Sequence, residues 1–302
     1  MPKITHTSNL FKNIFLLELP QTTNFESKVH LKIQLLKMKK LFLFLLISYS
    51  SLAQTTVLSW NIENLGKSKS NSELAFMAKT ITAFDIIAIQ EVVAGYGGAQ
   101  AVARLVEELN RKENSWDYVI SDPTSSSAYK TERYAFLWKK NKIKKIGRAW
   151  LEKKYNQEID REPFLCTFEY NKKQFTLVNF HAITKNRQPE TEIKYFKFLP
   201  LEYPDLNLIF AGDFNCPQSH NVFNPLKKMG YQPVFTNQKT SLKKECDLTD
   251  CLASEFDNIY YNTARIKVTR FGVLSFYKEF DSLKQARTIS DHIPIWMNFS
   301  IK

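Results

Sequence analysis

The chain has 302 residues, 44% hydrophobic, 14% aromatic and 24% charged, with only eight Gly and 11 Pro. This composition excludes a disordered chain, a collagen and a low-complexity polymer, and the length allows a sizeable buried core. Lys and Arg outnumber Asp and Glu by 42 to 30, a formal +12 that suits a polyanionic partner and leaves the fold open.

The charge is uneven. Residues 1–53 hold seven Lys and two Glu, a net +5, and the chain from Gln54 onward carries the other +7. From Met38 the sequence reads MKKLFLFLLISYSSLAQ. Lys39 and Lys40 form a positive n-region, Leu41 to Ile47 an apolar h-region, and Ser51-Leu52-Ala53 a small-x-small cleavage signal. The apolar run is too short to span a bilayer, which needs about 20 residues, and no Cys follows to carry a lipid. Residues 1–37 are therefore expected to be an upstream extension before the true start at Met38, and 38–53 a signal peptide. Residues 54–302 form a single domain that is secreted or periplasmic after cleavage near Ala53-Gln54. Export puts Cys166, Cys216, Cys246 and Cys251 where disulfides form. Their spacing suggests no zinc site.

In chain order, short runs rich in β-branched and aromatic residues predict strands at Val57–Trp60, Ile86–Ile89, Tyr134–Trp138, Phe164–Phe168, Phe175–Phe180, Leu206–Ala211, Ile259–Tyr261, Val268–Phe276 and Ile293–Phe299. Amphipathic periodicity predicts helices at Ser72–Thr82, Ala99–Arg111, Pro189–Leu199 and Asn221–Met229. Segments 164–170 and 174–181 read as a hairpin across Asn171-Lys172-Lys173. Interleaved helices and strands with such pairs fit a mixed α/β domain with two packed sheets.

Polar residues recur where these strands end. Asn61 follows the first, Gln90-Glu91 the second, His181 the strand at 175–180, and Gly212-Asp213-Phe214-Asn215 the strand at 206–211. Ser290-Asp291-His292 precedes the last. Taken singly, each reads as a solvated strand end or a turn. Together they place oxygen ligands and two imidazoles where sites are built on α/β scaffolds. Hard oxygen donors without thiols suit Mg²⁺, Mn²⁺ or Ca²⁺. Metal plus general base and acid suits phosphate-ester hydrolysis.

This series resembles the successive motifs of the endonuclease/exonuclease/phosphatase superfamily over essentially all of 55–301. The resemblance implies a four-layer α/β/β/α sandwich of two mixed sheets flanked by helices. Tyr129-Lys130-Thr131-Glu132-Arg133-Tyr134, Arg161-Glu162-Pro163-Phe164 and Phe256-Asp257-Asn258-Ile259 are similar to signatures of its deoxyribonuclease I branch. That branch implies a DNA endonuclease with little sequence preference, acting as a monomer without a stable membrane anchor on duplex or single-stranded DNA. A phosphoesterase of the same fold acting on a lipid or sugar phosphate is the second reading. A silent binding domain is a third, and it would lack ligands that this chain retains.

The resemblance implies that Glu91, Asn61, Asp213 and Asp291 hold the metal. It also implies that His181 with Glu132, and His292 with Asp257, carry the acid–base chemistry, His292 as base and His181 as acid. Asn215, Arg161 and Tyr129 would bind the substrate phosphate, although Arg161 could instead pair with Glu162. A disulfide between Cys216 and Cys251 is implied, with Cys246 the rival partner and Cys166 a buried thiol. The chain departs from the branch at the inserted Thr131, and at Glu63 and Val93, where the branch has basic residues that grip duplex DNA. Replacement grip is expected from Lys67, Lys69 and Arg133, or from lysines 139, 140, 142, 144 and 145; a solvated strand face is the other reading of the last five.

Overall fold

A computed structural model describes residues 29–30, 32–39, 54–111, 115–126, 131–247 and 249–302. The chain divides into two compact units, Met1–Ala53 and Gln54–Lys302. In the first, 29–30 and 32–39 are helical and exposed. Among the described residues no helix is long and apolar enough to cross a membrane. The h-region and cleavage signal at 41–53 lie outside the described residues.

The second unit holds twelve strands among its described residues: β1 (Thr55–Leu65), β2 (Ile86–Val93), β3 (Trp116–Ile120), β4 (Glu132–Lys139), β5 (Lys144–Leu151), β6 (Phe164–Tyr170), β7 (Lys173–His181), β8 (Leu208–Asp213), β9 (Tyr231–Pro233), β10 (Asp257–Asn262), β11 (Ile266–Val273) and β12 (Ile295–Ile301). They form two six-stranded sheets, ordered β11-β12-β1-β2-β4-β3 and β5-β6-β7-β8-β10-β9. The pairs β1/β2 and β7/β8 are parallel and the other ladders antiparallel, so both sheets are mixed.

One apolar cluster, including Val57, Phe136, Phe168, Phe175 and Met297, fills the space between the sheets. A second lies under α1 (Asn71–Ile81), α2 (Tyr96–Asn110) and the later helix Leu283–Ile289, and contains Leu74, Leu105 and Ile289. The third, with Ile193, Phe196, Leu199 and Leu226, covers the outer face of the other sheet. Each sheet is thus buried on both faces at its centre, which is why β8 is buried at every position. This is the four-layer α/β/β/α sandwich.

Local chemistry explains where the elements depart from periodicity. Ser70 caps α1 through a capping box with Glu73, fixing its start at Asn71. The helix expected over Pro189–Leu199 breaks into α3 (Glu190–Ile193), a 3₁₀ turn at Phe196–Phe198, and α4 (Leu199–Glu202). Pro200 has no N–H for the bond that one continuous helix needs. Pro225 similarly starts α5 (Asn224–Lys228) after a 3₁₀ turn. The strand expected over Val268–Phe276 ends at Val273, and a 3₁₀ turn follows at Phe276–Glu279. Strands β3, β5 and β9 and the short helix α6 (Leu283–Ile289) were not visible as periodic runs. β3, β5 and β9 are edge strands, and β3 and β5 are only partly buried.

Strand direction places the chemistry. The ends of β1, β2, β7 and β8 and the starts of β4, β6, β10 and β12 lie at one end of the sandwich. Lysines 139–145 follow the opposite end of β4 and open β5, as Lys139 leaves β4 and Lys144 enters β5. They cannot supply the grip expected of them beside Glu132.

Candidate active site

The end of β2 is reshaped by a bulge. Its register with β4 shifts between Ile89 and Val92, and Glu91 adopts a left-handed conformation with φ 61°. A bulge re-aims one side chain, and here the Glu91 carboxylate meets Asn61 at the end of the neighbouring strand. Asn61 Nδ2 donates to Glu91 Oε1 at 3.0 Å and to Asp213 Oδ2 at 3.1 Å. Asp213 is reached from the other sheet, at the end of β8. There Gly212 is required: a Cβ at this position, with φ 149°, would meet the Phe180 carbonyl oxygen at 1.9 Å. That close approach sets His181 opposite Asp213 in the parallel ladder.

Two histidines converge on Asp213. His181 Nε2 lies 3.5 Å and His292 Nε2 3.6 Å from the same Oδ2. His181 Nε2 is also 3.8 Å from Glu91 Oε1. Each ring is held from behind at Nδ1, His181 by both Glu132 oxygens at 3.0 Å and His292 by Asp257 Oδ2 at 2.6 Å. All six of Asn61, Glu132, His181, Asp213, Asp257 and His292 are buried. Glu91 is partly open to solvent.

The electrostatics follow from this packing. Burial alone lowers an imidazole, and Arg161 lowers His181 further, but Glu132 and Asp213 outweigh both and raise it. For His292 burial is likewise overcome by Asp257 and Asp213, which push it well above its usual value. Burial would raise Asp213, yet His292 and His181 hold it below the usual carboxylate range. Glu132 is held low in the same way, by His181 and Arg161. Asp257 goes up, chiefly through burial.

Asn61, Glu91 and Asp213 offer a cation oxygen donors of the hard type. Asn61 Oδ1 is buried without a hydrogen-bond partner, which a cation would supply. Ligand atoms of Asp213, Asp257 and His292 also lie within 4.8 Å of one another. His292 Nδ1 is taken up by Asp257 Oδ2, whereas the Glu91–Asn61–Asp213 set offers oxygen donors alone, which suits a hard divalent ion. Asp291 lies 3.6 Å from the Arg287 guanidinium and is close enough to add its charge to that of Asp257 and Asp213 on His292.

Several expected phosphate contacts are differently employed. Arg161 lies beneath His181: Nη1 donates to Glu132 Oε2 at 2.9 Å and Nη2 to the Ala182 carbonyl. Only its Nε lacks a partner. Glu162 pairs with Lys153 at 2.6 Å rather than with Arg161. Asn215, left-handed at φ 48°, donates from its side chain to the Ala182 carbonyl at 3.1 Å and from its backbone amide to Asp213 Oδ1 at 2.8 Å. A cavity of about 250 Å³ beside Glu91 is lined by Asn64, Val93, Thr131, Glu132 and Arg161. Tyr129 lies outside the described residues. Lys69 is buried, its ammonium spent on the Thr288 and Ile289 carbonyls at the end of α6, and Arg133 binds the Ala94 and Ser121 carbonyls. Lys69 is therefore not available as a DNA grip, whereas Arg133 is half-buried and Lys67 exposed.

The expected Cys216–Cys251 bridge is not formed. Cys251 bonds Cys246, five residues away, and Cys216 is a buried thiol like Cys166. Cys251 belongs to the core beneath α1 and α2, whereas Cys216 belongs to the core on the far face of the other sheet.

Three supporting residues take roles that the sequence did not assign them, although Tyr134 closes one quoted signature and Trp60 ends a predicted strand. Thr240 Oγ1 donates to Asp257 Oδ2 at 2.6 Å and accepts from the Asp257 amide at 3.0 Å. Tyr134 accepts from the His181 amide and donates to the Arg161 carbonyl. Trp60 Nε1 donates to the His292 carbonyl at 2.8 Å. Ser290, visible as part of a motif, accepts from the His292 amide and donates to the Asn61 carbonyl, tying the two segments together.

The pattern described as the Endonuclease/Exonuclease/phosphatase family matches residues 58–292. A deoxyribonuclease of Thioalkalivibrio sp. is 27% identical over 282 residues, covering 86% of this chain and 74% of that protein. Human deoxyribonuclease gamma is 28% identical over 284 residues, covering 84% and 88%. An endonuclease/exonuclease/phosphatase family protein of Bacteroides thetaiotaomicron has a similar structure, with TM-score 0.61 and 19% identity, over 82% of this chain and 97% of that one.

Proposed function

Because the chain belongs to the endonuclease/exonuclease/phosphatase family, we propose that it is a secreted, divalent-metal-dependent endonuclease that hydrolyses DNA phosphodiester bonds with little sequence preference. The observation that carries this reading is the convergence of two carboxylate-backed histidines on Asp213, 3.5 and 3.6 Å from one oxygen. The DNA specificity is taken from the deoxyribonuclease relatives. Secretion is supported by the signal-like sequence after Met38 and by a compact unit that begins at Gln54.

Glu91, Asn61 and Asp213 would hold the ion, with Asp291 at the margin. When bound, a divalent ion supplies positive charge against the charge that develops on the phosphate oxygens. The remaining steps belong to this chain. Glu132 and Asp257 fix both Nδ1 atoms as donors, leaving the two Nε2 atoms to exchange protons. His292, whose Nδ1 is held by Asp257, is the base that takes a proton from the attacking water. His181, with Glu132 behind its Nδ1 and Arg161 beneath that carboxylate, is the acid. It protonates the leaving 3′-oxygen. Arg161 lines the cavity beside Glu91, where its positive charge would favour a phosphate seated there.

A plasmid-nicking assay tests this reading. Nicking that needs Mg²⁺ or Mn²⁺, stops in EDTA and is lost in His292→Ala supports it. A folded protein that leaves DNA intact but hydrolyses a phospholipid headgroup or a sugar phosphate refutes it.

A further inference from the structure

The lysine run that the sequence singles out finds no use at the acidic centre. β4 runs from Glu132 to Lys139 and β7 from Lys173 to His181, so these lysines stand at the opposite end of the same strands. At about 3.3 Å per residue the two ends are about 25 Å apart. Lys140 and Lys142 occupy the β4–β5 connection and Lys144 opens β5; Lys172 lies in the β6–β7 turn and Lys173 opens β7; Lys302 follows β12; all six are exposed. The turns meet although they belong to different sheets. Lys142 Nζ lies 5.3 Å above the Tyr170 ring, and Lys173 Nζ donates to the Ile301 carbonyl at 2.7 Å.

Acidic groups do little to cancel this charge. Asp85 is buried, pairs with Lys142 at 2.6 Å and accepts from Thr55 and Thr56, so its charge is spent inward. Glu169 lies opposite Lys144 in the β5–β6 ladder. The side chains of Lys140, Lys144 and Lys172 make no ion pair among the described residues.

We propose that this far end is a second polyanion-binding surface, which grips a nucleic-acid backbone remote from the acidic centre. The proposal rests on the nuclease reading above, which supplies the polyanion. A straight duplex seated at Glu91 cannot also bend round to a surface about 25 Å away on the opposite end. The lysines therefore hold a second segment of the same or another strand and tether the enzyme to long or entangled DNA.

The test is binding of a labelled duplex in EDTA, followed by fluorescence anisotropy over a salt series. Without metal the carboxylates of the acidic centre repel phosphate, so the far end dominates the signal. The triple variant Lys140→Glu, Lys144→Glu and Lys172→Glu is expected to bind at least about tenfold more weakly at low salt, with a log–log salt slope lower by about 2.7 for three lost contacts. Its hydrolysis of bis(p-nitrophenyl) phosphate and its thermal unfolding should match the parent. An unchanged slope overturns the proposal. So does a variant that keeps DNA binding but no longer sediments with vesicles of anionic phospholipid, which would make the surface a membrane contact. A parent protein that binds duplex through these lysines yet never cuts it supports the surface and refutes the nuclease reading alone.

Discussion

Replacing Thr240 with valine removes one hydroxyl on which the His292 side of the site depends. That hydroxyl donates to Asp257 Oδ2 at 2.6 Å and accepts from the amides of Asp257 at 3.0 Å and Phe256 at 3.3 Å. A hydrogen bond to a charged group contributes about 1.5–3 kcal/mol, and a buried amide left unsatisfied costs about 1–3 kcal/mol. Asp257 Oδ1 already has no partner, so no second bond can take up the loss. Thr240→Val should therefore destabilise the domain by about 3–5 kcal/mol, or lower Tm by about 10 °C for a domain of this size. Thr240→Ser keeps the hydroxyl and loses one buried methyl, about 1 kcal/mol. Urea unfolding followed by circular dichroism, in EDTA, measures both. The reasoning is refuted if the valine and serine variants unfold within about 1 kcal/mol of each other.

Three further outcomes are expected. Burial favours the neutral form of Glu162, but hydrogen bonds from Lys153 and Ser125 outweigh it and hold the carboxyl below the usual range. Its stabilisation is thus complete above the unfolded pKa, about 4.3, and is lost as pH falls through the lower folded value; Glu162→Gln should flatten that acid limb in pH-dependent unfolding. Arg161→Met leaves Glu132 buried beside His181 without its guanidinium, and equilibrium unfolding should register a loss of about 3–5 kcal/mol. Unreduced protein, denatured and titrated with a thiol reagent, should show the thiols of Cys166 and Cys216 alone, and reducing the Cys246–Cys251 bridge should cost about 2 kcal/mol because its loop is short.

Much of the fold and the membership of the site were legible because buried strands end abruptly in polar residues. Asn61, Glu91, His181 and Asp213 each follow an apolar run, and a sandwich that aligns those runs brings their ends together. What the residues do to one another was less legible. Arg161 looks like a phosphate donor in a string of letters, but its burial under His181 commits two of its nitrogens to Glu132 and Ala182. The Lys69 ammonium is likewise taken up by backbone carbonyls that no spacing reveals. Cys216 sits close in sequence to Asp213 and yet faces a different core from Cys251. Thr240 lies in an irregular segment, where neither periodicity nor composition marks a residue that is fixed by tertiary contacts.

In the proposed reaction, water activated between His292 and His181 at a metal-dependent centre breaks the bond to the 3′-oxygen. Cleavage of a defined DNA in ¹⁸O-labelled water with Mg²⁺, read by mass spectrometry of the products, tests it most directly. The expected result is a 5′-phosphate carrying one ¹⁸O and a 3′-hydroxyl, both absent with EDTA or with His292→Ala. Products ending in 3′-phosphate, or labelled products formed equally well by the variant, would contradict it.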